Sequence, residues 1–247
     1  MIVKRAFVVR CVGVGPGASM TVYFKDMAEA AATSSPVIDK SSARRQGFYA
    51  KYGKRTFDIV CVLATAPVTL PLIAMLAVLV ALDGGKPFYI QPRVGLGKRS
   101  FSMFKLRSMV RDADARLSAY LESTPTARVE WERDQKLKND PRITRLGRFI
   151  RRTSLDELPQ LINVLIGDMS LVGPRPIMES QKILYRGERY SQVRPGITGA
   201  WQISDRNNCA FSKRVEFDDE YVANLSFRED LNVLFKTIGA VTRCTGY

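Results

Sequence analysis

The longest apolar stretch of the chain runs from Phe57 to Leu82, twenty-six residues in which Asp58, near the start, is the only charge. At about 1.5 Å per residue this makes roughly 39 Å of helix, longer than a hydrocarbon core of about 30 Å. Pro67 and Pro71 lie in its interior, where each removes a backbone hydrogen bond. The segment before Pro67 is long enough to reach only about mid-bilayer. Lys51, Lys54 and Arg55 precede the stretch and Lys86, Arg93, Lys98 and Arg99 follow it, so both ends prefer the cytoplasmic side. The pattern predicts a helix that enters a membrane, bends at Pro67 and returns. A kinked spanning helix and a buried core helix of a soluble protein are the weaker readings.

Beyond Gly84 apolar and polar positions mix. Phe88 to Ile90 and Phe101 to Leu106 read as two strands of a hairpin joined across Gly95 and Gly97, whose Gly-x-Gly fits a turn better than a phosphate cradle. Met109, Ala113, Leu117, Tyr120 and Leu121 recur at helical spacing, opposed by Arg111, Asp112, Asp114 and Arg116. This predicts a helix over 109–122 that packs on the core or lies on a membrane interface. A further helix opens within Thr153 to Leu161, carries an apolar stripe of Leu158, Leu161, Ile162, Leu165 and Ile166, and ends at Gly167. At the other extreme, residues 1–50 show little commitment. The apolar run Ala6 to Val14 is broken by Arg10 and lacks a signal-peptide core, and residues 28–47 have the composition of a tether. Translation starting at Met20 or Met27 would account for this.

The 247 residues suit one modest domain with appendages. A net charge of +14, concentrated before residue 150, points to an anionic partner: nucleic acid, phospholipid or a phosphorylated substrate. The chain has no histidine, which excludes Ser-His-Asp and Cys-His nucleophiles, histidine zinc sites and any imidazole base. Its four cysteines are scattered without C-x-x-C spacing, as expected of a reducing compartment.

Chemistry must then rest on carboxylates, Lys, Tyr, Cys, Ser or Thr. Asp156 and Glu157 are adjacent, and taken locally Ser154-x-x-Glu157 is a capping box with Asp156 in the first helical turn. Around them stand Arg142, Arg145, Arg148, Arg151 and Arg152 upstream, Gly173-Pro174-Arg175-Pro176 downstream, and Arg194-Pro195-Gly196 further on. An arginine between prolines loses little freedom on binding, and its fork matches a phosphate. Together these residues outline an anion site around two carboxylates, next to a membrane segment.

The ordered runs Gln91-Pro92-Arg93-Val94-Gly95, Phe104 to Met109, Asp140 to Gly147, Arg151 to Pro159, Gly167 to Pro176 and Arg194 to Gly199 resemble the bacterial sugar transferase family. These are the monotopic polyprenyl-phosphate phosphoglycosyl transferases, and the likeness covers residues 51 to 247. It implies transfer of a sugar 1-phosphate from a UDP-sugar to undecaprenyl phosphate, releasing UMP and starting glycan assembly. Carried over residue by residue, Asp156 is the nucleophile and Glu157 a ligand of Mg²⁺. Arg151, Arg175 and Arg194 hold phosphates, with Lys105 and Arg107 as helpers. A carboxylate at a helix N-terminus beside arginines is expected to stay ionised and attack phosphorus.

With the resemblance, the architecture expected is α+β: 51–83 as the re-entrant membrane helix and 84–247 as a small catalytic unit of helices and a hairpin with interfacial amphipathic helices, while composition alone marks residues 1–50 as a poorly ordered extension. Localisation is then the bacterial inner membrane, monotopic, with the catalytic unit on the cytoplasmic face. Where the family bends at a Ser-Pro pair this chain has Ala66-Pro67, without the hydroxyl, and Lys98 stands where a Gly is common. Lys54, Arg55 and Asp58 resemble the motif that holds the helix start at the interface. Trp201 to Arg206 and Val222 to Tyr247 are similar to members that transfer galactose or glucose 1-phosphate for exopolysaccharide, though Arg206, Asn207 and Asn208 fit a structural loop equally. Membrane lipid is a partner, a homo-oligomer is compatible, and no nucleic acid is expected. Two rivals remain: a non-enzymatic, membrane-tethered basic module that binds nucleic acid or anionic lipid, and a single-step transferase in which Asp156 only orients Mg²⁺.

Overall fold

The computed structural model describes residues 47–134, 137–183, 185, 187, 189–204 and 213–242. The extension 1–46, the alternative starts at Met20 and Met27, and Arg206, Asn207 and Asn208 lie outside the described residues. The apolar stretch forms one helix, α1 (Lys54–Leu82), preceded by a wider turn at Tyr49–Gly53. The backbone stays helical through Pro67 and Pro71. Next to Ala66, Thr65 bonds back onto the helix: its Oγ1 donates to the carbonyls of Cys61 at 2.9 Å and Val62 at 3.1 Å.

The predicted hairpin is present as β1 (Phe88–Val94) and β2 (Ser100–Leu106), antiparallel, with Phe88 opposite Leu106 and Val94 opposite Ser100. Its tip carries Gly97 at φ 64° and Lys98 at φ 62°, so Lys98 occupies the left-handed region that favours glycine. The helix expected over 109–122 begins only at Ala113, as α2 (Ala113–Ser123), because Met109 is drawn into a β-bridge with Ile143. None of its residues is buried, so it does not pack as a core helix. Then follow α3 (Pro125–Asp134), α4 (Arg145–Arg152), a 3₁₀ turn at Leu155–Glu157 and α5 (Gln160–Ile166).

A second, parallel pair joins β3 (Ser170–Val172) to β4 (Gly196–Thr198). It brings the two proline-arginine motifs side by side. A Cβ at Gly173 would stand 2.6 Å from the Arg194 carbonyl and 2.9 Å from the Gly196 nitrogen, so only glycine allows the two backbones to approach this closely. Helices α6 (Ala200–Ile203), α7 (Arg214–Ala223) and α8 (Phe227–Thr242) complete the chain.

Helix α1 meets this unit at both of its ends. Near its start Val62 packs with Met103, Val164 and Met169, and Asp58 accepts the Leu171 N–H at 3.1 Å. Near its end Leu76 and Val80 pack with Leu106 and Ile150, and Arg107 Nη2 donates to the Val80 carbonyl at 2.9 Å. The buried residues Lys54, Asp58, Val62, Ile73, Leu76 and Val80 fall on one face, while Val60, Leu63, Val68, Leu70 and Val78 are exposed on the others.

The stripe expected on α5 is corrected. The helix is only seven residues long and turns Gln160, Asn163 and Val164 inward, leaving Ile162, Leu165 and Ile166 exposed. Leu158 precedes it and packs with the α1 end instead. Leu161 and Val164 pack with Val62, Met103 and Met169, so the exposed Ile162, Leu165 and Ile166 make a second apolar face, which suits lipid contact.

Candidate active site

The capping box does not form. Ser154 lies in the left-handed region, at φ 58° and ψ 19°, and its side chain caps nothing. The chain passes from it into the 3₁₀ turn, with the Glu157 N–H on the Ser154 carbonyl at 3.2 Å, and α5 starts three residues after Glu157. Left-handed backbone at a serine costs about 1–2 kcal/mol and persists because the neighbourhood holds it. Leu155 and Leu158, on either side of the acidic pair, pack against the cluster of Leu76, Val80, Leu106 and Ile150. The end of α1 thereby holds the acidic turn in place.

Both carboxylates face cations from other elements. Lys105, on β2, places Nζ 2.9 Å from Glu157 Oε1 and 3.6 Å from Asp156 Oδ2. Arg175, in the loop after β3, reaches Glu157 Oε1 at 2.8 Å through Nη2. These contacts split the pair electrostatically. Arg175 and Lys105 overcome burial at Glu157 and hold its carboxyl down at about 2. At Asp156 burial dominates, joined by repulsion from Glu157 and opposed by Lys105, Arg151 and Arg175, so its pKa is raised. Only the placement at a helix N-terminus is corrected: Asp156 sits in the 3₁₀ turn ahead of α5, where burial outweighs the nearby cations in setting the direction of its shift.

Not every expected site residue gathers here. Lys105, Asp156, Glu157 and Arg175 come together, and Arg151, at the end of α4, acts on Asp156 through its charge. Arg107 is occupied at the end of α1, and Arg194 Nε donates to the Gly167 carbonyl at 2.7 Å, beyond the cleft. Arg142 forks onto Asp140, with Nε 2.8 Å from Oδ1 and Nη2 2.6 Å from Oδ2, over the ring of Trp131. Two residues in the cleft escaped the residue reading. Arg93 and Gln160 line it with Lys105, Glu157 and Arg175. Arg93 stood within one of the recurring runs, but nothing in the sequence places Gln160 beside it.

Residues 49–244 match the family described as bacterial sugar transferase. The chain belongs to this family. Among curated relatives of this chain, the UDP-galactose-lipid carrier transferase of Erwinia amylovora is 50% identical over 198 residues, covering 79% of this chain and 42% of the relative. The undecaprenyl-phosphate galactose phosphotransferase of Salmonella typhimurium is 49% identical over 211 residues, 85% of this chain and 44% of the relative. The chain thus spans a little over two fifths of the length of these two. The exopolysaccharide production protein ExoY of Sinorhizobium fredii is 43% identical over 196 residues, 78% of this chain and 87% of the relative.

As oxygen donors, Asp156 and Glu157 fit a hard divalent cation. Among the described residues no group of three His, Cys, Asp or Glu is assembled. A Mg²⁺ ion held by Glu157 would complete its shell with substrate phosphate oxygens and water, its usual habit.

Proposed function

We propose that the protein transfers a hexose 1-phosphate, galactose before glucose, from a UDP-sugar to undecaprenyl phosphate through a covalent phosphosugar on Asp156. The observation that carries this reading is the buried Asp156–Glu157 turn, flanked by Lys105 and Arg175 and packed against an apolar helix long enough to cross a membrane. The names of the Erwinia and Salmonella relatives support the acceptor and the sugar.

In the first step an Asp156 oxygen attacks the phosphorus that bears the sugar. A carboxylate–phosphorus bond forms, the anhydride bond breaks, and UMP leaves with the electron pair. In the second step an oxygen of the lipid phosphate attacks the same phosphorus and Asp156 departs as carboxylate, giving the polyprenyl diphosphate sugar. Arg175 and Lys105 stand where charge builds on the transferring phosphoryl group, and Glu157 keeps both cations oriented. Glu157 would hold Mg²⁺, which when bound would neutralise charge on the leaving nucleoside phosphate.

The membrane reading that we favour is re-entry, with the catalytic unit at the cytoplasmic face of the inner membrane. A helix whose start is bound to Asp230 and Leu171 and whose end packs on Leu106 and Ile150 has both termini on the side of the same unit. Its exposed apolar flanks, together with Phe149, Ile162, Ile166, Phe235 and Ile238 on α4, α5 and α8, then face lipid. Single cysteines placed at residues 51–56 and at 83–88 are expected to react with an impermeant maleimide from the same side of sealed vesicles. Labelling from opposite sides would sink re-entry.

The activity test uses protein in nanodiscs with Mg²⁺, undecaprenyl phosphate and a panel of UDP-sugars. Lipid-dependent UMP release with UDP-galactose or UDP-glucose is expected. No release with any nucleotide sugar from folded protein would leave the basic binding module, whose affinity for anionic vesicles falls with salt.

The pH profile is a further check. Asp156 attacks only when ionised, and its raised pKa moves the acid limb of kcat/KM above the range of free aspartate, about 3.9. Activity is expected to rise with pH through that limb. Glu157, held at about 2, stays ionised throughout. A limb at or below 3.9 would remove Asp156 as the titrating nucleophile.

A further inference from the structure

Helix α5 presents two buried amides to the interior, Gln160 at 2% exposure and Asn163 at 0%. The structure accounts for Asn163: its Nδ2 donates to the Ser102 carbonyl at 2.7 Å and its Oδ1 accepts the Phe104 N–H at 3.0 Å, tying α5 to β2. Gln160, one turn earlier, lines the cleft beside Glu157, and its Nε2 is sealed from solvent without a hydrogen-bond partner. Arg93 shows the same deficit. Its Nη2 donates to Gln91 Oε1 at 2.6 Å and its Nη1 to the Pro176 carbonyl at 3.4 Å, but its Nε is buried and unpartnered.

Charge points the same way. Lys105 and Arg175 both reach Glu157 through Oε1, and neither they nor Glu157 supply the acceptor that the Arg93 Nε lacks. Burial, with repulsion from Arg175 and Arg214, brings the Arg93 guanidinium down to about 10. Met103, Pro176 and Ile197, which line the rest of the cleft, have no side-chain acceptor to offer. A buried cation lacking a counter-charge and two orphaned N–H donors on one small cleft call for an anion with several acceptor oxygens.

We propose that Arg93 and Gln160 are binding residues for a phosphoryl group of the donor diphosphate, holding its oxygens in the cleft beside the Asp156–Glu157 turn. The assignment rests on the transferase reading only for the identity of the substrate; the phosphoryl chemistry follows from the cleft. Arg93 contributes charge and direction, and Gln160 a neutral donor that adds no further repulsion to the cluster of cations.

The test uses the full chain in nanodiscs with inorganic pyrophosphate as probe, titrated by calorimetry. Arg93→Lys, which keeps the charge and loses the fork, and Gln160→Glu, which puts an anion in place of the donor, are each expected to weaken pyrophosphate at least tenfold. Gln160→Met guards against misfolding by the added charge. It should weaken the probe while leaving the ligand-free melting temperature unchanged or higher, because the amide it removes has no partner. Asp156→Asn should still bind the probe. Pyrophosphate binding at wild-type strength in Arg93→Lys and Gln160→Met would overturn the assignment, as would a ligand-free melting temperature lowered by several degrees in Gln160→Met. Loss of probe binding in these variants, from a wild type that turns over no nucleotide sugar, would uphold the phosphoryl site and overturn the transferase reading instead.

Discussion

Asp156→Asn is expected to abolish lipid-dependent UMP release, by a factor on the order of 10⁴ or more, while the protein folds normally. The amide has the shape of the carboxyl group but lacks the anionic oxygen that attacks phosphorus. Folding should not suffer, because Asp156 is buried and desolvation already disfavours its charged form. The ligand-free melting temperature of the variant should therefore equal or exceed that of the wild type. Intact mass after incubation with donor but no lipid should show a hexose phosphate increment on the wild type and none on the variant. UMP release by Asp156→Asn within tenfold of wild type would remove the covalent step and leave single-step transfer through a ternary complex.

Asp230→Asn is expected to cost about 3–5 kcal/mol of stability, lowering the melting temperature by roughly 10 °C. Asp230 is fully buried on α8 and accepts from Lys54 Nζ at 2.6 Å, Tyr49 Oη at 2.5 Å and Tyr221 Oη at 2.6 Å. Neutralising it strands the Lys54 ammonium, whose side chain is 11% exposed, at the start of α1. Removing both charges together, as Lys54→Met with Asp230→Leu, should recover much of the loss, since the penalty lies in the unpaired charge. Thermal unfolding in nanodiscs decides: a drop below 3 °C in the single variant would mean that water reaches Lys54 and the pair does not fasten α1 to α8. The effect on activity should follow from looser docking of α1, whose far end supports the Leu155–Leu158 turn.

Helix α1 and the hairpin were legible because their signals are local. An apolar run of this length has few alternatives to a helix, and two short apolar strands about glycines pair with their nearest neighbour. The acidic pair and Arg175 were legible as chemistry, in a chain without histidine and as runs shared with a family. Lys105 was legible only as a helper, yet it is the cation that touches both carboxylates. The four-residue pattern at Ser154–Glu157 misled: it is a capping box only when the backbone at Ser154 is extended, and the left-handed turn there is imposed by the packing of Leu155 and Leu158. Likewise the apolar spacing on α5 marks a face but not its surroundings. That face turns outward, away from the β2 strand to which Asn163 is bound.

A basic, histidine-free chain with one membrane-length apolar helix, a hairpin and a carboxylate pair among arginines can be read from one dimension, because composition and short-range periodicity survive there. Which cations serve that pair, which arginines are engaged elsewhere, and which carboxyl group is pushed up and which held down follow from folding alone. Those outcomes depend on desolvation and on charges brought within a few ångströms from residues 105, 157 and 175, and neither quantity exists until the chain has folded.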